Sequence, residues 1–286
     1  MVAATSSCHP GTVEGTLWLV GTPIGNLGDL APRAREVLAD VDLVACEDTR
    51  RTGRLLHGLS LRKPMVSFFE GNERERTDEL IERLRSGSSV ALVTDGGMPS
   101  VSDPGYRLVH GAIEAGIDVK VVPGPSAALA ALVLSGLPTD RFTFEGFLPR
   151  KPGERMRRLD ALRHDPRTLV VFESPRRVQI LLRDALVALG DRRIAIAREL
   201  TKLHEEVMRG RISEVLSHIG DAELKGEVVV VIDGEHTPGT PDLETCADEA
   251  QELVDEGMRK RDAAHAVAER HHVSANDVYR QLLKRG

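Results

Sequence analysis

Short apolar runs separated by helical patterns limit the possible folds of this chain more than any other feature. The runs recur at intervals of roughly 25 residues, which fits one strand and one helix per repeat. Those of the first half are Leu17–Val20, Leu43–Cys46, Met65–Phe69, Val90–Val93 and Val119–Val122. Continuous apolar strands that alternate with helices indicate a parallel sheet covered on both faces. We therefore predict a first α/β domain over residues 16–137.

A second series of strands follows the turn Gly136–Asp140. A chain of 286 residues is longer than one core commonly organises, so a second domain is expected. Its predicted strands are Phe142–Glu145, Thr168–Phe172, Ile194–Ala197, Glu205–Arg209 and Glu227–Ile232. Because we expect less helix between the last two, we predict a mixed sheet in an α/β domain over residues 138–234. A cleft between two such domains is a favoured ligand site.

Both ends of the chain lie outside these domains. Residues 1–15 lack the cationic and apolar segments of a signal peptide, and we interpret them as a disordered leader. After a Pro- and Gly-rich linker, residues 243–286 predict two or three short helices, the last capped by Ser274. Apolar runs are too short for a membrane span, and three well-separated cysteines indicate reduced thiols. These features predict a cytoplasmic protein without a membrane partner.

Charge and aromatic content restrict any nucleic-acid contact to local patches. The net charge is −6 and aromatic residues make up 3% of the chain, which argues against a basic coat or a broad stacking platform. Two segments are nevertheless basic: residues 150–163 hold six Lys or Arg against two acids, and residues 259–286 hold seven against three. The simpler interpretation of each is a solvated helix face, and the alternative is contact with phosphates.

Two Gly- and Pro-rich loops, Thr94–Gly105 and Pro123–Ala127, follow apolar strands of the first domain. Open α/β sheets bind ligands at the carboxyl ends of their strands, so we expect both loops to reach one ligand from neighbouring strands. Neither loop has a dinucleotide or triphosphate pattern. The first carries two aspartates and no lysine, which suits a cationic or hydroxyl-bearing ligand.

Several motifs in fixed order resemble the tetrapyrrole-methylase superfamily across residues 16–285. Those of the first domain are Gly21–Leu27, Glu47–Arg50, Asp95–Pro99, Ser102–Gly105 and Pro123–Ala127. Those of the second are Gly146–Pro149, Phe172–Pro175, Ala197–Lys202 and Lys225–Glu227, and they resemble one branch, the bacterial 16S ribosomal RNA (cytidine-2′-O)-methyltransferases. Taken singly, the first two motifs are explained as a tight turn and a capped helix start. Together they identify the chain as similar to that branch.

The resemblance implies S-adenosylmethionine (AdoMet) bound between two α/β domains, with S-adenosylhomocysteine as product. It implies methyl transfer to a cytidine 2′-hydroxyl in the decoding region of 16S rRNA within the 30S subunit, by a homodimer. Asp95 would accept from the methionine ammonium or lie near the sulfonium. The cofactor residues carried over are Pro23, Asp95, Gly97, Met98, Ser102, Pro125, Ser126, Ala127, Phe147, Leu148, Glu173, Ala197, Arg198, Glu199 and Glu227. The residues assigned to RNA are Arg150, Lys151, Arg155, Arg157, Arg158, Arg259, Lys260, Arg261, Arg280 and Lys284.

The catalytic residues are less well defined by the resemblance. Relatives usually have histidines around an Asn-Glu pair after the third strand, whereas this chain has only Asn72 and Glu73 there. A 2′-hydroxyl reacts either after proton removal by a base or by alignment with a good electrophile, and a sulfonium methyl is such an electrophile. We therefore rank positioning first, with Asp48 and Glu73 as candidate bases. Arg50 and Arg177 are predicted to clamp a phosphate or the carboxylate of the cofactor. No metal-ligand spacing is present, so no metal is expected.

Two other functions remain open at this point. A C-methyltransferase of tetrapyrrole precursors would share the fold, but it would need neither the basic segment 150–158 nor the tail. A non-catalytic AdoMet-sensing module that binds nucleic acid through the tail would tolerate loss of Glu47–Arg50.

Overall fold

The computed structural model describes residues 15–220, 224–235, 243–271 and 273–284. Residues 1–14, which hold most of the predicted leader, and residues 236–242, which hold the predicted linker, lie outside the described residues. The chain divides into two compact units, one ending at Asp233 and the other beginning at Gly234. No helix in the described ranges is long and apolar enough to cross a membrane.

The first sheet is parallel throughout, as predicted. Its strands are β1 (Thr16–Val20), β2 (Leu43–Cys46), β3 (Met65–Ser67), β4 (Val90–Val93) and β5 (Asp118–Val122). Four helices cover it: α1 (Pro32–Asp40), α2 (Thr49–Gly58), α3 (Glu73–Arg85) and α4 (Tyr106–Glu114). Apolar side chains of α1 and α2 form the core on one face, and those of α3 and α4 form the core on the other. Burial on both faces explains why these strands read as continuous apolar runs.

The strand order is β3-β2-β4-β1-β5, and it corrects one prediction. The glycine-rich loops after β4 and β5 do not come from neighbouring strands, because β1 lies between them. The spacing of strands along the sequence does not give their order in the sheet. The chain passes from β4 to β5 through helix α4, and this crossover skips the position of β1. The loop after β1 is therefore the element that can connect the other two.

The second sheet is mixed, as predicted, with the order β6-β7-β10-β8-β9. Its strands are β6 (Phe142–Phe147), β7 (Thr168–Glu173), β8 (Arg193–Arg198), β9 (Glu206–Arg211) and β10 (Val228–Ile232). β6 is parallel to β7, and the other pairs are antiparallel. The helices α6 (Pro152–Ala161), α7 (Val178–Leu189) and α8 (Ile212–Ile219) supply the core on one face. We expected little helix between β9 and β10, but α8 lies between them. The connection without a helix is the one from β8 to β9, so the mixed sheet was predicted for the wrong pair of strands.

Helix α5 (Ala127–Ser135) covers the other face of the second sheet. Its Ala128, Ala131 and Leu132 are buried with residues of β7, β8 and β10 in one cluster. The predicted first domain ends at residue 137 and so contains this helix, whereas its buried side chains pack on the second sheet. The chain changes from one sheet to the other before α5, and both sheets belong to one compact unit.

The C-terminal unit consists of α9 (Leu243–Asp255), α10 (Lys260–His271) and α11 (Ala275–Leu283). Small and aliphatic side chains, among them Cys246, Ala264, Val267 and Leu282, form its core. Ser274 occupies the N-cap of α11 as predicted, although its side chain makes no capping hydrogen bond. This unit has a hydrophobic core of its own.

Candidate active site

The loops after β1, β4 and β5 meet at the carboxyl edge of the first sheet. Thr22 and Gly97 exchange two backbone hydrogen bonds, with N···O distances of 2.9 and 3.0 Å. A Cβ on Gly21 would lie 2.6 Å from the Cα of Gly124 and 2.7 Å from the Sδ of Met98. Only glycine fits such a close approach of two backbones. The loops after β4 and β5 were predicted to converge, and in the structure the loop after β1 lies between them and contacts both.

Other predicted cofactor residues belong to the same convergence. A Cβ on Gly96 would lie 3.3 Å from the carbonyl oxygen of Pro23, and one on Gly97 would lie 3.7 Å from that of Pro125. Ser126 is the N-cap of α5, where its hydroxyl accepts from the backbone N–H of Leu129, and Ala127 begins that helix. The first-domain residues of the cofactor prediction therefore lie within one set of touching loops.

Asp95 carries a carboxylate oxygen that lacks a donor. It lies two residues after β4. Its Oδ2 is 3.3 Å from the guanidinium of Arg51, while its Oδ1 is buried with no hydrogen-bond partner among the described residues. Buried polar atoms are normally paired, so this oxygen suits a ligand that supplies the donor. An orphan acceptor beside three touching loops fits the ammonium end of the expected cofactor.

The loop between β4 and α4 is held in a strained conformation. Ser100 and Ser102 both have positive φ angles, 70° and 61°, which residues other than glycine rarely adopt. A Cβ on Gly146, at the end of β6, would lie 3.0 Å from the hydroxyl oxygen of Ser102. The loop therefore reaches the second sheet. Strain of this kind, about 1–3 kcal/mol per residue, concentrates at functional sites.

Three acids gather where β2 and β4 end. These strands pair with Cys46 opposite Val93, so Glu47 emerges beside Thr94 and Asp95. The pKa of Asp103 is raised to about 7, mainly by burial and further by the carboxylates of Glu47 and Asp95, while the Thr94 hydroxyl partly offsets these effects. Burial, together with Asp95, also raises the pKa of Glu47. Glu47 and Asp103 therefore bind a proton more readily than an exposed carboxylate does.

Asp48 and Arg50, two of the catalytic candidates, form an exposed ion pair. Asp48 caps α2 by accepting from the backbone N–H of Arg50 at 2.8 Å, and it accepts from the guanidinium at 2.7 and 3.1 Å. These hydrogen bonds hold the pKa of Asp48 well below its usual range. A carboxylate with so low a proton affinity is a poor base at neutral pH. The guanidinium of Arg50 is 86% exposed and accessible to an anion.

Asn72 and Glu73, the other two candidates, bind backbone groups. The side chain of Asn72 accepts from the N–H of Phe69 at 2.8 Å and donates to the carbonyl of Ser67 at 3.1 Å. Glu73 accepts from the N–H groups of Gly105 and Arg107 at 3.0 and 3.2 Å. It thereby fixes the start of α4 and the end of the strained loop.

A cavity of about 380 Å³ lies at the ends of β6 and β7. The side chain of Glu173 is only 1% exposed; its Oε1 accepts from the N–H of Ser174 at 2.7 Å, and its Oε2 lies 3.3 Å from Arg177. Exposed Phe147 and buried Leu148 form the apolar part of the lining, and Arg150 lies at the same cavity. The site predicted from Phe147, Leu148 and Glu173 is therefore a charged pocket with apolar walls.

The remaining cofactor candidates lie at the end of β8, directly after it, and directly before β10. Ala197 is buried against α5, so only its backbone can face a ligand. The ammonium of Lys202 donates to Glu199 at 3.0 Å and to Glu227 at 3.2 Å, and Arg198 pairs with Glu206. A Cβ on Gly25 would lie 2.6 Å from Lys202 Cγ, so this network contacts the loop after β1.

The basic segment 150–158 is only partly available to a ligand. Arg155 is 4% exposed, because its Nε donates to Asp184 at 2.6 Å and its Nη1 donates to backbone carbonyls. Arg158 donates to Glu145 at 2.7 Å. Arg150, Lys151 and Arg157 are exposed. In the C-terminal unit the predicted contacts Arg259, Arg261, Arg280 and Lys284 are exposed, and Lys260 is half-buried.

The site-residue predictions omitted Glu47, Thr94 and Asp103. A signal for them existed, because two acids follow directly on the ends of apolar strands and Asp103 stands between a serine and Pro-Gly. What the sequence could not supply was the pairing of β2 with β4, which brings these groups together.

Comparisons with known proteins agree with this architecture. A family model described as Tetrapyrrole (Corrin/Porphyrin) Methylases matches residues 16–216, which include the loops after β1, β2, β4 and β5. Ribosomal RNA small subunit methyltransferase I of Thermotoga maritima is 49% identical over 77% of this chain and 99% of its own length. Its namesake from Synechocystis is 41% identical over 94% of this chain and 98% of its own length. The crystal structure of uroporphyrin-III-C-methyltransferase from Thermus thermophilus matches 76% of this chain and 94% of its own, with a TM-score of 0.55 and 26% identity.

Proposed function

The chain belongs to the tetrapyrrole methylase family and, within it, to the ribosomal RNA small subunit methyltransferase I group, and from this premise we propose that it methylates a cytidine 2′-hydroxyl in 16S rRNA. It is a methyltransferase, and the proposal adds AdoMet as methyl donor and the 30S subunit as substrate. A cytoplasmic homodimer is part of the same proposal.

The orphan oxygen of Asp95 is the observation that carries the cofactor part of the proposal. A carboxylate with one buried, unpaired oxygen would accept a charge-assisted hydrogen bond from the AdoMet ammonium. Gly21 and Gly124 allow the loops after β1 and β5 to touch, and Gly97 lies at the same convergence, so these loops end beside Asp95. Bound there, AdoMet would supply an electrophilic methyl group at the carboxyl edge of the first sheet.

Exposed cations near this edge support RNA as the substrate. Arg150 comes four residues after Gly146, the residue that the strained loop touches, so the chain between them spans at most about 14 Å. Arg150, Lys151 and Arg157 would bind phosphates close to the methyl donor, whereas the buried Arg155 is omitted from this part of the proposal. Such contacts give affinity without sequence choice.

A methyl-transfer assay with labelled AdoMet tests the substrate. We expect transfer to unmodified 30S subunits, and little to naked 16S RNA or to tRNA. Label in the ribose of one cytidine would support the proposal, and transfer to uroporphyrinogen III in place of RNA would reject it. The mass of the protein in solution tests the homodimer.

The salt dependence of binding to 30S subunits tests the phosphate contacts. The double substitution Arg150→Gln and Arg157→Gln should flatten the log–log slope by about 0.7–0.9 for each phosphate that is no longer neutralised. Arg167→Gln is a matched control, because Arg167 is also half exposed but pairs with Asp165 before β7, at the opposite end of that strand. Equal slopes for the double variant and the control would exclude these arginines from the interface.

Removal of the C-terminal unit tests its role in RNA binding. A chain ending at Asp242 should bind AdoMet with unchanged affinity and methylate 30S subunits poorly. The clusters that form the cores of both sheets contain no residue of this unit, so the truncation should cost little stability. Full activity of the shortened chain would show that the tail is not an RNA contact.

A further inference from the structure

Phe147 presents an exposed aromatic ring at the end of β6. Aromatic residues make up only 3% of the chain, and Phe147 is 59% exposed. A single exposed apolar side chain is common and assigns no role by itself, but the backbone, the rings and the charges around this one all favour a ligand. Resting on the proposed function, we propose that the ring of Phe147 stacks on the base of the cytidine that is methylated and thereby positions its ribose at the methyl donor.

A β-bulge sets the direction of Phe147. Phe144 pairs with Val170 of β7. Phe147 pairs with Phe172, so three steps along β6 match two steps along β7. In an unbroken strand, side chains three positions apart point to opposite faces, whereas the extra residue brings both rings of β6 against Phe172. Gly146, inside the bulge, has a φ of 60°, which glycine adopts without strain. Bulges next to active sites often re-aim a side chain in this way.

Two further phenylalanines support the exposed ring on one side. The ring of Phe172 lies 5.7 Å from that of Phe147 at an interplanar angle of 65°. The ring of Phe144 lies 4.9 Å from that of Phe172 at an angle of 73°. Both angles are those of edge-to-face contacts, which aromatic pairs favour. Phe144 and Phe172 are partly buried against the core that α5 shares with the second sheet, so they hold the third ring in place. A pre-positioned ring binds a base at a lower entropic cost than a mobile one.

The charges beside Phe147 favour an anionic ligand. The adjoining cavity of about 380 Å³ has three cations and one acid in its lining: Arg150, Arg176, Arg177 and Glu173. It lies at the N-terminal end of α7, where the helix dipole adds partial positive charge. The resemblance assigns Phe147 to AdoMet, but that cofactor carries a net positive charge, because an ammonium and a sulfonium outweigh one carboxylate. A nucleotide brings a phosphate as well as a base, so the cavity fits the substrate better than the cofactor.

Phe147 is next to the loop that carries cofactor residues of the first sheet. A Cβ on Gly146, the preceding residue, would lie 3.0 Å from the hydroxyl oxygen of Ser102. Ser102 belongs to the strained loop whose Asp95 has the unpaired oxygen expected to bind AdoMet. Proteins commonly stack unpaired RNA bases on aromatic side chains, and a base held on Phe147 would place its own ribose near this loop. Alignment of the 2′-hydroxyl with the methyl group accelerates the transfer even without a dedicated base.

Substitution of Phe147 by leucine and by tyrosine tests the stack. Phe147→Leu keeps an apolar side chain and removes the ring, so kcat/KM on 30S subunits should fall about 5–50-fold. Phe147→Tyr keeps the ring and should stay within about threefold of wild type. The AdoMet affinity from calorimetry should change by less than about threefold in both variants. The log–log salt slope of 30S binding should equal that of wild type, because no phosphate contact is lost.

Phe142→Leu is the matched control. Phe142 is also an exposed ring on β6, but it begins the strand, roughly 15 Å from Phe147. Its replacement should leave kcat/KM within about twofold of wild type. Melting curves of all three variants check that each of them folds.

Ultraviolet cross-linking identifies the stacked base without turnover. Unmodified 30S subunits are irradiated together with the wild-type protein and S-adenosylhomocysteine, and the joined peptide and nucleotide are identified by mass spectrometry. We expect Phe147 to be joined to the cytidine that receives the methyl label in the turnover assay. Phe147→Leu should lose this cross-link, and Phe142→Leu should keep it.

Failure of the proposed function and failure of this inference give different results. A wild type that does not methylate 30S subunits would count against the proposed function. A wild type that methylates them while Phe147→Leu keeps its kcat/KM would overturn this inference alone. So would a cross-link from Phe147 to a different nucleotide, or an equal loss of activity in Phe147→Leu and Phe147→Tyr. A marked loss of AdoMet affinity in Phe147→Leu would also overturn it, because the ring would then belong to the cofactor site, as the resemblance implies.

Discussion

The loops after β2 and β4 leave neighbouring strands of one sheet, yet their carboxyl groups have opposite properties. After β2, Asp48 caps a helix and pairs with the exposed Arg50, which keeps its pKa well below the usual range. After β4, Asp103 is partly buried near two other acids, and its pKa is raised to about 7. Place in the fold does not decide what a carboxylate can do. Partners and burial decide whether it acts as a fixed charge or as a proton acceptor.

The largest expected contrast is in stability, between a glycine in the loop after β4 and a glycine in helix α2, which follows β2. A Cβ on Gly105, where φ is 142°, would lie 2.5 Å from the hydroxyl oxygen of Ser100 and 2.8 Å from a methyl carbon of Leu92. Gly105→Ala should cost roughly 2–5 kcal/mol in unfolding free energy, from overpacking and backbone strain together. In α2, a Cβ on Gly53 would meet only Met65, at 3.5 Å. Gly53→Ala should be neutral or stabilise by up to about 1 kcal/mol. Urea unfolding measures both, and equal effects would remove the contrast.

Of these two loops, only the one after β4 should contribute to the affinity for AdoMet. Asp95→Asn should weaken binding about 10–100-fold, because a hydrogen bond to a charged group contributes roughly 1.5–3 kcal/mol. Asp48→Asn, the matched change after β2, should leave the affinity unchanged. Titration calorimetry at about pH 7.5, above the raised pKa of Asp103, provides the comparison, and melting curves check that both variants fold. Weaker binding by Asp48→Asn would move the β2 loop into the cofactor site.

Stability as a function of pH tests the burial of Asp103 without substrate. Folding raises the pKa of this acid from 3.8 to about 7, so ionisation disfavours the folded state. The penalty is absent below about pH 4, grows between about pH 4 and 7 and is complete above that range. Asp103→Asn should therefore be more stable than wild type at about pH 8, by roughly 1–2 kcal/mol after solvent screening, and equal to it near pH 4. A stability difference that does not change with pH would contradict the raised pKa.

Arg50→Ala should give the smallest effect. An exposed ion pair contributes roughly 0.2–1 kcal/mol, so the free energy of unfolding should change by no more than that. Methylation of 30S subunits should fall about fivefold because one phosphate is no longer neutralised, with AdoMet affinity unchanged. Loss of AdoMet affinity would show that this guanidinium reaches the cofactor.

The strands were predictable because burial on both faces leaves an apolar run, and Val90–Val93 and Leu43–Cys46 appear in the structure with the predicted bounds. The acid cluster was not predictable, because it depends on the alignment of these two strands side by side, which no local pattern encodes. Arg155 shows a further limit. Its sequence neighbours make it look like part of a solvated basic patch, and only the position of Asp184 on α7 explains its burial.

The composition of α5 does not show which sheet the helix covers. Its residues are small and apolar almost all round, so no face of the helix stands out. The predicted break at residue 137 followed turn residues, whereas the structural change of sheet precedes the helix. Turn composition marks where the chain bends and carries no information about which layers then pack together.

The packing of α5 has a consequence for motion. Since the helix begins in the loop that contacts Gly21 and packs against β7, β8 and β10, it connects the second sheet to the loops at the carboxyl edge of the first sheet. We expect the strained loop between Thr94 and Gly105 to respond more to ligands than this packed helix does. We expect hydrogen exchange to slow in that loop when ligands bind, while the amides of α5 exchange slowly in both states.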